Sequence, residues 1–244
     1  MKVGIIQSNY IPWRGYFDFI DDVDLFVIHD DLQYTKGDWR NRNQIKVLSG
    51  SSWLTVPVNY HKTSQLICNT LIEHSQKWQS AHIKKFFVNY SKSPYVHDAL
   101  ELLQEALDYL DPTISQLNIR LINLICAYLN ITTPMVMSSN LDIFGTKTER
   151  IIQILKKVGA SAYLSGPTAK AYLDEQLLRD NGFKLEYKTY DYDSYPQPHG
   201  EFIGNVTILD LIANVGLDAR KLMKSKTPNQ LILQPHCVCA ASLS

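Results

Sequence analysis

The chain has no long hydrophobic run, no excess of charge of either sign and only four cysteines among 244 residues. Each absence excludes something. No segment approaches the roughly 20 apolar residues that span a bilayer, so membrane insertion is not expected. The first apolar run, Val3 to Ile6, is too short for a signal-peptide core and follows no basic stretch. A cytoplasmic protein is the expectation. The 24 basic and 24 acidic residues cancel, which speaks against a general polyanion binder, and no nucleic-acid partner is expected. Four cysteines in this length make no disulfide framework. Cys68 and Cys126 read as buried thiols, and Cys237 and Cys239 form a pair too isolated for a zinc site. No metal site is assigned. A P-loop, a G-x-G-x-x-G turn and a G-x-S-x-G elbow are also missing, so neither a triphosphate cradle nor a serine hydrolase is supported.

What is present is an ordinary globular composition, 45% apolar and 20% charged, in a chain long enough for a substantial core. Val3 to Ile6 reads as a strand, Tyr16 to Ile20 as a short helix and Leu25 to Ile28 as a second strand, the opening of a parallel α/β layer. Ile45 to Leu48 and Trp53 to Val58 suggest a hairpin around residues 49–52, and Thr70 to Ile72 a further strand. From Trp78 the apolar spacing becomes three and four, as in Ile83, Phe86, Phe87 and Tyr90, then Ala99, Leu102, Leu103, Ala106 and Leu107. A further helix follows Asp111-Pro112, a plausible cap and first-turn proline. Alternation then returns, with strands at 134–138, 162–164 and 183–187. Helices are expected behind Thr146 and Glu149, from 168 to 179, and from 207 to 215. The expectation is an α/β fold with a mostly parallel, Rossmann-like sheet and a helical segment inserted at about 75–130. Residues 1–226 form one domain in this reading, and 227–244 a poorly structured C-terminal tail.

Both early strands open at once into polar and aromatic residues. Such strand ends carry ligands in open α/β sheets. After the first come Gln7, Tyr10, Trp13 and Tyr16, an aromatic rim suited to holding rings. After the second come Asp30, Asp31, Gln33 and Tyr34, then Asp38, Trp39, Arg40, Asn41, Arg42 and Asn43. Paired carboxylates there fit a general base or an amine anchor, or equally a turn in which an Asp bonds backbone amides. Adjacent extended residues point opposite ways, so one of the two faces the cleft. Two guanidiniums suit carboxylate or phosphate, asparagines suit sugar or amide groups, and Trp39 can stack. His82, on the helix after Trp78, is a candidate proton shuttle, with a satisfied core histidine as the plain alternative. Ser165-Gly166 after a strand offers exposed backbone amides.

Taken in order, several blocks resemble the WbqC-like family. They are IIQSNYIPWRGYFDFI, DDLQYTKGDWRNRNQIK, WLTVPV, KWQSAHIKKFFVNYSKSPY, ERIIQILKKVGASAYLSG and YPQPHGEFIGNVTILDLIANVG. The resemblance runs from Lys2 to about Leu222, and its specificity lies in the ordered series. It implies a bacterial cytoplasmic enzyme of O-antigen or other surface-polysaccharide precursor biosynthesis; a glycine-transferase role has been suggested for one member. It also implies that the active-site residues lie among Gln7, Tyr10, Asp30, Asp31, Gln33, Tyr34, Asp38, Arg40, Asn41, Arg42, Asn43, His82, Ser165 and Gly166. His29 stands where relatives are expected to be apolar, and the tail has no family counterpart.

The reaction expected is N-acyl or aminoacyl transfer to an amino sugar nucleotide. Asp31 or His82 serves as base, with Asp30 a further catalytic candidate. Asn41, Asn43 or the Ser165-Gly166 amides stabilise the oxyanion, and Arg40 and Arg42 anchor phosphate. No cofactor is firmly implied. A carrier-bound thioester is the expected donor, which makes an acyl or aminoacyl carrier protein a candidate partner. The rival readings are a glycosyltransferase whose Asp30 and Asp31 help hold a metal, and a non-catalytic binding or scaffold protein of polysaccharide assembly.

Overall fold

A computed structural model describes residues 1–75 and 77–233. Its centre is a six-stranded sheet. The strands are β1 (Lys2–Ile6), β2 (Leu25–Ile28), β5 (Met135–Met137), β6 (Ala162–Ser165), β7 (Lys184–Tyr187) and β8 (Gln230–Leu233), in the order β5-β2-β1-β6-β7-β8. All neighbours pair in parallel except β7 and β8. Among the parallel strands the chain runs outward from β1 through β2 to β5, then returns to the other side of β1 for β6 and β7. That is the Rossmann-like order, with its reversal point between β1 and β6. The α/β class read from the sequence is what the chain adopts.

Alternating residues divide the sheet between two cores. Val3, Ile5, Val27, Tyr163 and Leu185 pack with Ile152 and Leu155 of α5 (Lys147–Lys157) and Leu178 of α6 (Glu175–Asp180). Phe26, Ile28 and Leu164 join a larger cluster on the opposite side. It takes in α1 (Arg14–Ile20), α2 (Trp78–Tyr90), α3 (Val96–Leu107), α4 (Ile114–Tyr128) and α7 (Ile208–Val215). Successive strand residues face opposite ways, so this two-sided burial follows from the near-continuous apolar runs. Gly4 lets α1 approach the sheet. A Cβ there would lie 2.3 Å from Cε1 of Phe19.

Several local expectations are corrected. The hairpin of β3 (Arg42–Val47) and β4 (Gly50–Thr55) turns at 48–49, because Val47 pairs with Gly50 at φ +116°. Residues 70–72 make only isolated bridges, Val58 with Ile72 and Leu71 with Thr113. The cap of α4 is Thr113, in a capping box with Gln116, while Asp111 instead accepts two bonds from Arg120 at 2.8 and 2.9 Å. Thr146 precedes α5 without a side-chain cap. The helix expected over 168–179 breaks into a 3-10 turn, Pro167–Ala171, and α6, because Asp174 caps Leu177 N at 2.9 Å and starts a fresh helix. The tail read as unstructured from 227 contributes β8, which pairs with β7. Cys237, Cys239 and the rest of the tail beyond Leu233 lie outside the described residues. Near the C-terminus α8 (Ala219–Leu222) buries Ala219 in the larger cluster.

Candidate functional site

Where β1 and β6 part company, a cavity of about 670 Å³ opens at their carboxyl ends. Its size falls within the range of roughly 300–1,000 Å³ usual for small-molecule sites. Ile5, Ile6 and Gln7 of the β1 end and Tyr163, Ser165 and Gly166 of the β6 end form its floor. Asn9, Trp13 and Tyr16 come from the β1 loop and α1, and His29, Leu32, Trp39 and Arg40 from the segment after β2. Lys147, Thr148, Arg150 and Ile151 of the first turns of α5 complete one wall, with Tyr172 and Tyr190 at its margin.

The charged side chains that line the cavity have one sign, with Arg40 paired to Asp38 and Arg150 to Asp31 behind the wall. Arg40, Lys147 and Arg150 line the cavity, and no aspartate or glutamate does. The start of α5 adds the positive end of a helix dipole, with first-turn amides that lack a side-chain cap.

Arg150 is held at three nitrogens. Its Nε donates to His29 Nε2 at 3.1 Å, Nη1 donates to the Ile143 carbonyl at 2.8 Å, and Nη2 donates to the Asp31 carboxylate. Burial pushes His29 down to about 4, so the imidazole is neutral and free to accept that bond. Burial alone would raise Asp31, but the bonds from Ser138 and Arg150 outweigh it and hold the carboxyl below its usual value. The Ser138 hydroxyl donates to Asp31 Oδ1 at 2.5 Å. Arg40 is similarly fixed, donating from Nη1 to Asn9 Oδ1 at 2.5 Å and from Nη2 to Asp38 Oδ2 at 3.0 Å. Asn118 of α4 braces the same loop by donating to the Arg40 carbonyl at 2.8 Å.

The aromatic wall is also built. Trp13 packs against Tyr190 with ring centroids 5.1 Å apart, and Trp39 against Trp53 at 5.4 Å. Gly15 makes room for the Trp13 indole, since a Cβ there would sit 2.3 Å from Trp13 Cζ2. Ile11, between Asn9 and Trp13, holds φ at +36°, and Lys147 at +50°. Left-handed backbone at a β-branched residue is costly and concentrates at functional sites.

Of the residues singled out from sequence, Gln7, Trp13, Tyr16, Trp39, Arg40, Ser165 and Gly166 line the cavity. Asp31 reaches it through Arg150, and Asp38 through Arg40. The others lie elsewhere for identifiable reasons. Asp30 is buried and consumed by Ser139, accepting from its N–H at 3.1 Å and its hydroxyl at 2.8 Å, which ties the β2 end to the turn after β5. His82 is a core residue and not a cavity base. Its Nδ1 pairs with the Tyr10 hydroxyl at 2.8 Å, its ring lies 5.3 Å from Trp78, and burial pushes it down to about 4. Tyr10 itself is fully buried. Asn41 donates to the Val56 carbonyl at 2.8 Å, and Asn43 to the carbonyls of Tyr10 and Ile11, so both brace loops. Arg42 stacks on the Trp53 ring at 4.2 Å, outside the main cavity. Tyr34 is buried against Tyr60, and Gln33 is exposed.

Sequence reasoning missed Asn9, Lys147, Thr148, Arg150, Tyr163, Tyr172 and Tyr190. The Thr146–Glu149 spacing marked the start of α5, and this is the signal that pointed at the wall. Only the strand order reveals which way that helix end faces.

Fold and cavity together define a Rossmann-like α/β protein with a cationic, aromatic-walled cleft at its topological switch point. The model of the WbqC-like protein family matches residues 7–222, and the chain belongs to that family. It is 43% identical over 221 residues to a Mycobacterium tuberculosis (strain ATCC 25618 / H37Rv) protein described as "Uncharacterized protein Rv1507c", covering 89% of this chain and 95% of that one. No solved structure matches it. Among the described residues no helix is long and apolar enough to cross a membrane.

Proposed function

We propose that the protein is a transferase that binds a nucleotide-linked amino sugar and modifies the sugar amine by N-acyl or aminoacyl (glycyl-type) transfer. The observation that carries this reading is the cavity with Arg40, Lys147 and Arg150 on its walls and no carboxylate among its lining residues. A diphosphate needs several fixed cations and backbone amides, and the α5 start supplies the amides. Indole and phenol rings beside the cations suit the cyclic ends of such a substrate. The resemblance to a family associated with O-antigen and lipopolysaccharide gene clusters supports a surface-polysaccharide precursor as the product.

In the transfer, the sugar amine attacks the acyl carbonyl of a thioester delivered by a carrier protein. A C–N bond forms, the C–S bond breaks, and the proton lost by the amine ends on the departing thiolate. The step balances without a resident base, which agrees with Asp31 being engaged by Arg150 and Ser138. The Ser165-Gly166 backbone is the oxyanion donor in this scheme.

The test incubates purified protein with nucleoside diphosphate amino sugars and acyl or aminoacyl thioesters, followed by mass spectrometry. The expected result is a sugar nucleotide heavier by the acyl group. Release of nucleoside diphosphate with an unmodified amine would contradict acyl transfer, and so would the absence of any mass change.

A further inference from the structure

Beside the charged cavity lies a second, smaller one of about 210 Å³, lined by Asn9, Trp13, Trp39, Asn43 and Asn205. The two cavities share Asn9, Trp13 and Trp39. The annex therefore continues the main cleft, but its chemistry differs. Among the described residues its lining holds three carboxamides, two indoles and no ionisable side chain.

The chain builds this annex from three distant segments. Asn9 and Trp13 belong to the β1 loop. Asn43 sits in β3 opposite Leu54; its amide donates to the Tyr10 and Ile11 carbonyls at 3.1 and 2.8 Å. Its Oδ1 accepts from Gln44 N at 2.7 Å, so it shapes the annex and leaves the free polar atoms to Asn9 and Asn205. Asn205 is brought alongside by a bridge between Trp13 and Thr207, in which Ile208 N donates to the Pro12 carbonyl at 2.8 Å and Thr207 N to the Gln44 carbonyl at 2.9 Å. Asn9 spends its Oδ1 on Arg40, which leaves its Nδ2 free to donate. Among the described residues the Asn205 side chain makes no hydrogen bond, so both its donor and its acceptor are open.

We propose that this annex is the subsite for the sugar ring of the nucleotide-linked substrate, a neutral pyranose with hydroxyl groups. The inference rests on the reading of the main cavity as a diphosphate site. A hydroxyl donates and accepts at once, and a carboxamide does the same, whereas a carboxylate or an ammonium offers only one sense. Indole faces cover the apolar C–H side of a sugar ring. The volume equals about seven waters of liquid, room for one ring and too little for a whole nucleoside. Arg40 stands at the junction, bonded to Asn9, so the annex begins one hydrogen bond away from a phosphate-anchoring cation. The sugar then projects from the diphosphate into neutral amides, while the nucleoside remains on the main-cavity side.

The test measures calorimetric affinity of the full chain for a nucleoside diphosphate and for the same nucleoside diphosphate carrying an amino sugar. The variants are Asn205→Ala, which removes the free amide, and Asn205→Leu, which fills the annex with apolar bulk. Asn205 is exposed and engaged in no bond, so both variants should unfold at the wild-type temperature. The expected result is a loss of roughly three- to tenfold for the sugar nucleotide in Asn205→Ala, a larger loss in Asn205→Leu, and affinity for the nucleoside diphosphate within about twofold of wild type. Equal losses for both ligands would put another part of the substrate in the annex and overturn the proposal, and unchanged affinity for both would overturn it as well. Failure of the wild-type protein to bind the nucleoside diphosphate at all would strike the diphosphate reading first, and the subsite with it.

Discussion

At the scale of single residues, the site is an exercise in fixing guanidiniums. Arg150 has a carboxylate, a neutral imidazole and a backbone carbonyl as partners, so its plane and position are set before any ligand arrives. Such pre-organisation spares a ligand the cost of ordering a long side chain. Asp31→Asn keeps the shape and removes the charge, and it should weaken nucleoside diphosphate affinity by roughly tenfold through a loosened Arg150. Calorimetry showing wild-type affinity in Asp31→Asn would contradict that positioning role.

The buried histidines give a pH signature. Burial holds His29 and His82 at about 4 in the folded protein. In the unfolded chain they protonate from about 6.5 downward, so between those values the unfolded state binds more protons. Stability should therefore fall as pH drops from about 6.5 to 4, by up to about 3 kcal/mol for each histidine. Denaturant midpoints that stay level between pH 7 and pH 5 would refute it.

Which residues were legible follows from distance along the chain. Gln7, Trp13, Arg40, Ser165 and Gly166 follow strand ends, and strand ends can be read locally. Extended geometry separates Asp30 from Asp31, but neither lines the cavity, and where each carboxylate goes depends on Ser139 and Arg150, more than a hundred residues away. The sequence leaves His82 open between proton shuttle and satisfied core histidine because its partner, Tyr10, lies far away on the β1 loop.

At the scale of elements, periodicity and turn residues located most strands and helices, and errors gathered where a polar side chain chose the boundary. Asp174 divides one expected helix into two pieces, and Thr113 takes the cap from Asp111-Pro112. The strand β8 is not legible because Gln230–Leu233 directly follows a polar stretch with Pro228 and owes its strand form to antiparallel pairing with β7 at the sheet edge. Close approach between elements is equally invisible in sequence and testable in structure. Gly4→Ala would drive a methyl into the Phe19 ring, and overpacking of this kind costs about 1–3 kcal/mol. Chemical denaturation of Gly4→Ala should show that loss, and an unchanged midpoint would mean that α1 moves away freely.

At the scale of the whole molecule, one end of the chain is clamped onto the other. Asp18 of α1, almost fully buried, pairs with Lys188 at 2.9 Å and accepts from the Tyr192 hydroxyl at 2.9 Å and Ser225 N at 3.1 Å. Lys188 is itself buried, and removing it leaves Asp18 with the more exposed Lys224, at 3.4 Å, as its remaining cation among the described residues. Lys188→Ala should destabilise the fold by about 1.5–3 kcal/mol, and an unchanged denaturation midpoint would show that Lys224 and water take its place at Asp18. The clamp positions the 190–207 segment, which carries Tyr190 to the main cavity and Asn205 to the annex.

The parallel class was readable from alternating elements, but the switch point was not, because strand order is a property of the assembled sheet. That order decides that the ends of β1 and β6 and the start of α5 meet, and with them Arg40, Lys147 and Arg150. The most direct test of this meeting is a calorimetric titration of a nucleoside diphosphate sugar into wild-type protein, Arg150→Ala and Arg42→Ala. Binding by the wild type, a loss of at least roughly tenfold in Arg150→Ala, and wild-type affinity in Arg42→Ala are predicted. Equal affinity of wild type and Arg150→Ala, or loss confined to Arg42→Ala, would contradict the cavity as the diphosphate site.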